Sequence, residues 1–337
     1  MSGSVLAHPD RYPQQSRTKR SLVSATATAQ RQRQRPKQRR GDLVFSGATR
    51  LAALLILLAL AGVAIFLTLE GIPAFDAPPG KLGGAESLAG FVWPLLFGTL
   101  IAALIALVIA TPFALGVALV ISHYAPRRLS QPVGYLIDLL AAVPSVVYGL
   151  WGIAFLGPQL TPVYLWLADN LGFIPFFAGP ASGTGRTILT AGIVLAIMAL
   201  PIITAITREI FAQTPTLQQE AALALGATRW EMIRLAVLPY ARSGIVSAVM
   251  LGLGRALGET MAVAMVLSAT SGVVTFNLIS SLNPSTIAAN IANGFPEATG
   301  LGVNALIASG LVLFVITFAV NFTARAIVAR SERRMLG

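Results

Sequence analysis

The sequence predicts an all-α integral membrane protein with six transmembrane helices, and three observations support that fold class. First, 55% of the 337 residues are hydrophobic and only 11% are charged, whereas soluble domains carry about a quarter of charged residues. Second, apolar stretches of about 18 residues or more recur along the chain, which is the length that crosses a bilayer. Third, the basic residues lie mostly outside those stretches, as is usual in membrane proteins.

Residues 1–49 are predicted to form a disordered, basic cytoplasmic tail. Eleven of the 24 Lys and Arg residues lie in the first 50 positions, and the run RQRQRPKQRR at residues 31–40 has no apolar periodicity with which to bury a core. The first apolar stretch begins too far from the start for a cleavable signal peptide, so it is predicted to be a retained anchor. The transmembrane domain is predicted over residues 50–330, with a short cytoplasmic end over residues 331–337.

The apolar pattern places six spans, and the charges between them predict their orientation. The predicted spans cover residues 50–70, 92–122, 133–156, 187–208, 243–269 and 301–325. With the tail inside, the outer connections carry only Lys81 and Arg186, while the inner connections carry Arg127, Arg128, Arg208, Arg229, Arg234, Arg242, Arg325, Arg330, Arg333 and Arg334. The positive-inside rule therefore predicts a multi-pass protein of the cell membrane with both termini in the cytoplasm.

Two longer outer segments, residues 157–185 and 271–300, are open to two interpretations. The first contains several prolines and aromatic residues, which favour a short interfacial helix with turns. Either segment is a plain connecting loop with interfacial aromatic residues, or it contacts an external partner.

Composition also excludes several kinds of site. The chain has no cysteine and only two histidines, His8 and His123, so no metal site and no cofactor is predicted. No spanning stretch pairs a nucleophile with a base or brings two carboxylates together, so we do not expect an enzyme. Residues 182–187 (SGTGRT) resemble the end of a phosphate-binding loop but lack its Lys and its leading Gly. ATP hydrolysis is therefore expected on another chain.

Residues 209–240 are predicted to be a helix, a glycine turn and a second helix projecting into the cytoplasm. Thr216 and Gln219 have the spacing of a capping box, which starts the first helix. The first helix breaks at Gly226, and the second begins near Thr228 and stops before Pro239. Such an apolar pair packs back on its own bundle, lies in the lipid interface, or is covered by a partner.

Two charges, Arg255 and Glu259, lie inside the fifth predicted span. Four residues apart, they are expected to share a helix face, and each central charge costs roughly 2.5–3.5 kcal/mol on insertion scales. One interpretation is a structural ion pair. The other is that Arg255 faces an aqueous path and attracts a tetrahedral oxyanion through its planar, two-pronged donor set. Glu259 would then hold Arg255 and moderate its field, so that the anion is released.

Three further features lie near these charges. Gly254 and Gly258 form a small-xxx-small pair, which lets another helix approach or makes the helix flexible. Asp138, near the start of the third predicted span, is expected at the membrane interface. Pro144 in that span is expected to break the helix beside a cavity, near the hydroxyl groups of Ser145 and Tyr148.

The inner segment resembles the EAA motif of ABC importer permeases, and the matching residues are Glu220, Ala221, Ala222, Gly226, Leu238 and Pro239. Ala236 departs from the pattern, because the family usually has Ile at that position. The resemblance implies the type I importer permease fold. It also implies that this segment is a coupling helix, which docks in a cleft of a cytoplasmic ATPase and transmits its closure to the fourth and fifth spans.

Two other segments, residues 144–152 (PSVVYGLWG) and 252–263 (GLGRALGETMAV), resemble the phosphate-specific ABC permeases, and the ending Thr260–Val263 resembles their C type (PstC-like). This resemblance implies a second permease subunit of the A type, an ATPase dimer and an extracytoplasmic phosphate-binding protein as partners. It implies a substrate path that includes Arg255, Glu259, Thr260, Ser145 and Tyr148.

Two other functions are compatible with part of the sequence. A permease for another tetrahedral oxyanion, such as sulfate or molybdate, is the alternative within transporters, since Arg255 suits those anions too. A binder of nucleic acid or anionic lipid acting through the tail is the alternative outside them. Contact of the basic tail with membrane lipid is expected, but a tail binder does not explain six spans or an arginine within the membrane, so no nucleic-acid partner is predicted.

Overall fold

The computed structural model describes residues 40–336, so residues 1–39 of the tail predicted over residues 1–49, and the last residue, Gly337, lie outside the described residues. The chain divides into two units, residues 1–61 and residues 62–337. Helix α1, Arg40–Gly71, begins in the first unit and ends in the second. It therefore starts within the segment predicted as the tail, before the predicted boundary at residue 50.

The second unit is helical throughout its regular structure. After α1 come α2 to α12, and within the described residues no β-strand occurs; the bounds are α2 Leu88–Leu119, α3 Arg127–Ala141, α4 Ser145–Trp151, α5 Gly157–Leu171, α6 Ile188–Ala212, α7 Thr216–Ala224, α8 Arg229–Met232, α9 Leu238–Gly258, α10 Met261–Val266, α11 Ile287–Gly294 and α12 Leu301–Leu336. Wider π-helical turns extend α2 over Val120–Tyr124, join α4 to α5 over Gly152–Leu156, and join α8 to α9 over Ile233–Val237.

Six stretches of the described chain are long and apolar enough to cross a membrane, which confirms the predicted number. They are Val44–Ala74, Leu88–Tyr124, Ser145–Leu171, Ile188–Ala212, Arg229–Gly258 and Leu301–Ala326. The end of the bundle that holds residues 209–240 is called the inner end here, and the opposite end is the outer end.

The third predicted span, residues 133–156, is wrong in its bounds. Residues up to Ala141 belong to α3, a separate helix, and the crossing begins only at Ser145 and continues to Leu171. The cause is Pro144, which lies in an extended conformation at the start of α4, since the residue before a proline is disfavoured in a helix and Pro lacks an N–H to donate. Much of the outer segment predicted from residue 157 is therefore part of the crossing.

The fifth predicted span, residues 243–269, is also wrong, because it is not one helix. Helix α9 ends at Gly258, Glu259 is extended, and α10 restarts at Met261. The helix pair predicted to stop before Pro239 instead remains helical through it. Pro239 falls in the first turn of α9, where its missing N–H leaves no bond unmade.

The core of the bundle is the contact between α2 and α6. Helix α2 presents a row of buried alanines at helical spacing, and these pack against α6 and the middle of α9; the row is Ala102, Ala103, Ala106, Ala110, Ala114 and Ala118. Small side chains let two helix backbones approach closely, which is how helices associate where lipid removes the hydrophobic driving force. The α2–α6 pair is thus the frame on which the interrupted helices rest.

The outer end is a folded cap rather than a set of free loops. The backbone of Ser285 passes so close to Gly98 that a Cβ there would overlap the Ser285 carbonyl oxygen. The adjacent Thr99 hydroxyl accepts a hydrogen bond of 2.9 Å from the Ile287 N–H at the start of α11. The segment between α10 and α12 is therefore fixed to α2.

Candidate functional site

Two helix interruptions face one cavity of about 450 Å³. On one side the wall is the break between α3 and α4, residues 141–145. On the other side are four residues around the end of α9: Gly254, Arg255, Gly258 and Glu259. We call this space the break cavity. As predicted, Pro144 breaks a helix beside a cavity, and the structure brings Ser145, Arg255 and Glu259 together on it.

Arg255 is half-buried. Its Nε is fully buried and makes no hydrogen bond, and among the described side chains no carboxylate lies within 4.0 Å of its guanidinium. A buried donor without a partner costs about 1–3 kcal/mol, and more when it is charged. The site therefore favours a ligand that supplies acceptor oxygens and negative charge.

Glu259 does not share a helix face with Arg255, which corrects the prediction from their spacing. Because α9 ends at Gly258, the carboxylate of Glu259 turns toward the next helix and accepts a hydrogen bond of 3.2 Å from the Ala262 N–H. It satisfies one of the free donors at the start of α10. Glu259 thus fixes the restart of the helix and leaves Arg255 without its pairing.

Tyr148 and Thr260 stabilise the two breaks instead of lining the break cavity. The Tyr148 hydroxyl donates to the Leu140 carbonyl at 2.9 Å, which joins the first turn of α4 to the end of α3. The Thr260 hydroxyl donates to the Gly258 carbonyl at 3.2 Å, within the second break. Both hydrogen bonds satisfy carbonyl groups that an interrupted helix leaves free.

Close packing between α4 and α10 holds the two restarted helices together. A Cβ on Gly149 would lie 3.0 Å from the Cα of Ala262, and a Cβ on Gly152 would lie 2.7 Å from Cγ2 of Val266. Both glycines are buried at this contact. Neither glycine was assigned a role from the sequence, because the small-xxx-small signal of close helix approach has a spacing of four residues and these two glycines are three apart.

Arg186 and Asn283 at the outer end were also missed. The Nη2 of Arg186 donates to the Met265 carbonyl at 3.1 Å and to the Leu267 carbonyl at 3.5 Å, at the end of α10. A cation at a helix C-terminus is favourable because carbonyl groups are free there. Arg186 therefore fixes the far end of the short helix that follows Glu259 and the break cavity.

Asn283 has no exposed surface and joins three segments of the chain at the outer end. Its side-chain oxygen accepts from the Ile188 N–H at 3.0 Å, and its Nδ2 donates to the carbonyls of Arg186 at 3.1 Å and Ser268 at 3.3 Å. An Asn-Pro pair alone indicates a turn, and nothing in its spacing identifies such a central contact.

The inner segment forms the predicted helix, glycine turn and helix, but its caps differ. Thr216 makes no capping hydrogen bond, because Pro215 occupies the position before the helix. The capping box is instead formed by Thr228 and Glu231 at the start of α8. Gly226 has φ of +87°, a left-handed conformation that glycine adopts at little cost. The turn between the two helices therefore requires the glycine that the motif supplies.

One side of this segment packs on the bundle and the other is exposed. Ala222 and Leu238 contact an inner core cluster around Phe211 and Ile233. Glu220, Ala221, Gly226 and Pro239 are exposed, and so are large apolar side chains, among them Leu217 at 77% and Leu225 at 89%. Of the alternatives, packing back on the bundle thus accounts for one face only, and the other face remains available to a partner or to lipid.

Comparison with known proteins gives a consistent result. Residues 110–337 match the family described as "Binding-protein-dependent transport system inner membrane component". Over 300 residues the chain is 46% identical to "Phosphate transport system permease protein PstC 2" of Mycobacterium tuberculosis (strain ATCC 25618 / H37Rv), covering 86% of this chain and 92% of that protein. It is 41% identical over 312 residues to "Phosphate transport system permease protein PstC" of Xylella fastidiosa (strain Temecula1 / ATCC 700964), covering 88% and 94%.

A solved structure has a similar fold. It is the crystal structure of a bacterial ABC transporter involved in the import of the acidic polysaccharide alginate, and the match covers 86% of this chain and 96% of that chain with a TM-score of 0.56. The sequences are 17% identical, so this likeness bears on the fold alone.

Proposed function

The chain belongs to the family of binding-protein-dependent transport system inner membrane components, and from this premise we propose that it is a permease subunit through which an ATP-driven importer moves inorganic phosphate into the cell. Its fold is the all-α importer permease fold that the sequence predicts, and it is a multi-pass protein of the cell membrane. The similarity to phosphate transport permeases supports phosphate as the anion. No observation favours sulfate or molybdate.

The observation that carries the proposal is Arg255 on the break cavity. Its guanidinium lies at membrane depth, half-buried, with an unpaired Nε and no carboxylate within ion-pair distance among the described residues. A phosphate oxyanion offers two oxygens to such a group and offsets the cost of its charge. Ser145 lies on the opposite wall of the same cavity and adds a hydroxyl donor.

Glu259 has a second role in this proposal. It lies on the wall of the break cavity while its carboxylate accepts from the Ala262 N–H. A negative charge near the anion weakens binding, and passage requires binding that is weak enough for release. Glu259 therefore fixes the position of α10 and also limits how tightly the anion binds. Tyr148 and Thr260 stabilise the backbone of the two breaks.

The inner segment is proposed as the coupling helix. Its exposed face carries Glu220, Ala221, Gly226 and Pro239 together with the apolar Leu217 and Leu225. An exposed apolar surface of this kind marks a protein contact, and the partner is a subunit of a cytoplasmic ATPase dimer. ATP is hydrolysed on that partner. With both termini in the cytoplasm, the inner end of the bundle lies on the cytoplasmic side, so this exposed face is accessible to the ATPase.

Two other partners complete the proposed importer. A Cβ added to Gly254 or Gly258 would meet no atom within 4 Å, and both glycines line the break cavity, so an A-type permease subunit is proposed to cover the open side of that cavity and leave its interior to the anion. An extracytoplasmic phosphate-binding protein docks on the outer cap. ATP-driven closure of the partner moves the inner segment, and the break cavity is exposed to the two sides of the membrane in turn.

The test is radiolabelled phosphate uptake by cells that lack their own high-affinity importer and express the whole proposed complex. The chain is supplied as wild type or as Arg255→Gln, with excess sulfate as a competitor. We expect uptake with the wild type, no competition by sulfate, and loss of uptake with Arg255→Gln at an unchanged amount of assembled complex.

Each component of the proposal has its own contrary result. Absence of uptake by the wild type, or competition by sulfate, would overturn phosphate as the substrate. Normal uptake by Arg255→Gln would show that the anion path lies elsewhere in the chain.

A further inference from the structure

A second, larger cavity lies on the inner side of Arg255. Its volume is about 890 Å³, and its walls come from α6, α9 and α12. The polar residues that line it are Ser247, Arg255, Asn321 and Arg325. We call this space the inner cavity. None of the proposed transport roles above uses it.

The inner cavity extends from the middle of α9 to the inner end of the bundle. On α9 its lining runs from Val246 to Arg255, and on α12 from Asn321 to Ala329. At about 1.5 Å per residue, each of these walls is about 12–14 Å long. Arg255 lines the break cavity as well, so this residue borders both spaces.

The charges on the inner cavity are unbalanced. Arg255 and Arg325 both line it, and no acidic residue does among the described residues. Neither arginine forms an ion pair within 4.0 Å with a described carboxylate. Arg255 is half-buried and Arg325 is exposed, so the cavity presents two positive charges, one of them partly desolvated, that attract an anion. The break cavity differs, because Glu259 faces it together with Arg255.

We propose that the inner cavity is a second oxyanion site, where a phosphate group that has left the break cavity is held between Arg255 and Arg325. This inference rests on the proposed function. The anion moves from a cavity that contains a carboxylate into one that contains a second arginine, so the charges favour movement inward. Asn321 and Ser247 supply neutral donors between the two cations. Arg325, at the inner end of the sixth span, is the innermost cation of the cavity lining.

A phosphate group in the inner cavity can come from either of two sources. Free inorganic phosphate and the phosphate of an anionic lipid headgroup both offer oxygens to an arginine pair. Basic residues at the inner end of a span are also explained by membrane topology. The experiment must therefore separate a transport role of Arg325 from lipid binding and from a general effect of charge.

The test uses the full complex reconstituted in vesicles of zwitterionic lipid alone, and in vesicles that also contain anionic lipid. Arg325→Gln is compared with Arg330→Gln, which removes an exposed arginine from the same helix outside the cavity lining. Arg325→Lys keeps the charge as a conservative variant. The measurements are ATP-driven uptake of inorganic phosphate at saturating binding protein, and the amount of assembled complex.

In both kinds of vesicle we expect Arg325→Gln to lower the maximal uptake rate about tenfold, the typical effect of losing one charge-assisted hydrogen bond. The KM for external phosphate should not change, because recognition occurs before this step. Arg330→Gln should stay within about twofold of the wild type, and Arg325→Lys should recover most of the rate. Assembly should be the same for all variants.

Three results would overturn the proposal. If Arg325→Gln matches Arg330→Gln, the inner cavity holds no transported anion. If the loss appears only with anionic lipid, the cavity binds a lipid headgroup. If Arg325→Gln lowers assembly in proportion to uptake and Arg325→Lys does not recover it, the arginine is structural. Absence of uptake by the wild type would instead contradict the proposed function itself.

Discussion

Arg208 and Asp138 form an ion pair that joins α6 to α3: the Nη2 of Arg208 lies 3.5 Å from the Oδ2 of Asp138. Gly134 lies one turn before Asp138, and a Cβ at that position would overlap the Nη1 of Arg208. Helix α6 leads directly into the proposed coupling helix, while α3 leads to the break at Pro144. The ion pair therefore connects the inner segment to the wall of the break cavity.

Breaking this ion pair is expected to reduce transport more than stability. The two side chains are 24% and 48% exposed, and ion pairs of this kind contribute about 0–1 kcal/mol. Asp138→Asn should therefore leave the amount of assembled complex unchanged but lower phosphate uptake by up to about fivefold, the factor that corresponds to about 1 kcal/mol. Asp169→Asn, an exposed carboxylate without a described ion pair, is the matched control.

A double variant that exchanges the two charges tests whether the contact between residues 138 and 208 is itself required for transport. A double variant with Asp138→Arg and Arg208→Asp should recover much of the uptake that either single change removes. Uptake no better than in the single variants would contradict the proposed connection and leave Asp138 as a simple interfacial residue.

Gly226 is expected to be required for its backbone conformation alone. Its φ is +87°, and a side chain there would meet no atom within 4 Å. Gly226→Val should therefore lower the free energy of unfolding by about 1–2 kcal/mol, the cost of a left-handed conformation for an ordinary residue. Gly226→Asn should lose less, since Asn tolerates this conformation. Thermal unfolding of the purified chain measures both, and equal losses for the two variants would contradict a requirement that rests on the backbone conformation alone.

Gly149 is expected to be required because a larger side chain does not fit between α4 and α10. A Cβ at this position would lie 3.0 Å from the Cα of Ala262, so Gly149→Val forces α4 and α10 apart. Overpacking of this kind costs about 1–3 kcal/mol. Gly116→Val, at an exposed helical position with nothing within 4 Å, should have a smaller effect. For Gly149→Val the unfolding temperature and the phosphate uptake should both fall. A variant that is stable but inactive would instead show that Gly149 has a direct role in the substrate path.

Asn283 is expected to be among the most sensitive polar positions of the outer cap. Asn283→Leu removes three hydrogen bonds and leaves the buried Ile188 N–H without its acceptor. Each buried polar group left unpaired costs about 1–3 kcal/mol, so a total loss above about 3 kcal/mol and a low yield are expected. Asn170→Ala, which removes one exposed bond to the Trp166 carbonyl, should change stability by less than about 0.5 kcal/mol. Comparable losses in thermal unfolding would contradict this assignment.

The fold was largely predictable because lipid makes the apolar pattern decisive. Six hydrophobic stretches and their flanking charges were sufficient to predict the number of spans, and the prolines indicated that helices would break. The bounds were less predictable. Helix α3 carries Arg127, Arg128 and Asp138 and is amphipathic. Only its second half is apolar, and that half runs on into the crossing from which Pro144 separates it, so the apolar pattern merged the two.

The candidate site was predictable in its residue types but not in its geometry. An arginine inside a predicted span indicated a functional site, because a charged side chain within the bilayer is energetically costly and is seldom present without a role. Its i, i+4 relation to Glu259 predicted a shared helix face, but the helix ends between them and the carboxylate caps α10. Contacts between distant segments, such as those of Arg186 and Gly149, leave no local pattern, so spacing could not reveal them.

The hydrogen bonds of Asn283 also bear on the order in which the protein is made. They join Asn283 to Ile188 and Arg186, positions 95 and 97 residues earlier in the chain. A ribosome adds about 5–20 residues per second, so a nascent chain waits roughly 5–20 seconds between exposing the first partner and delivering the second. During that interval the fourth span is already inserted, but its outer end lacks the amide that will complete it. A chain whose synthesis stops before Asn283 would leave the Ile188 N–H and the Arg186 carbonyl without this amide, so the outer end of the fourth span would stay unfinished.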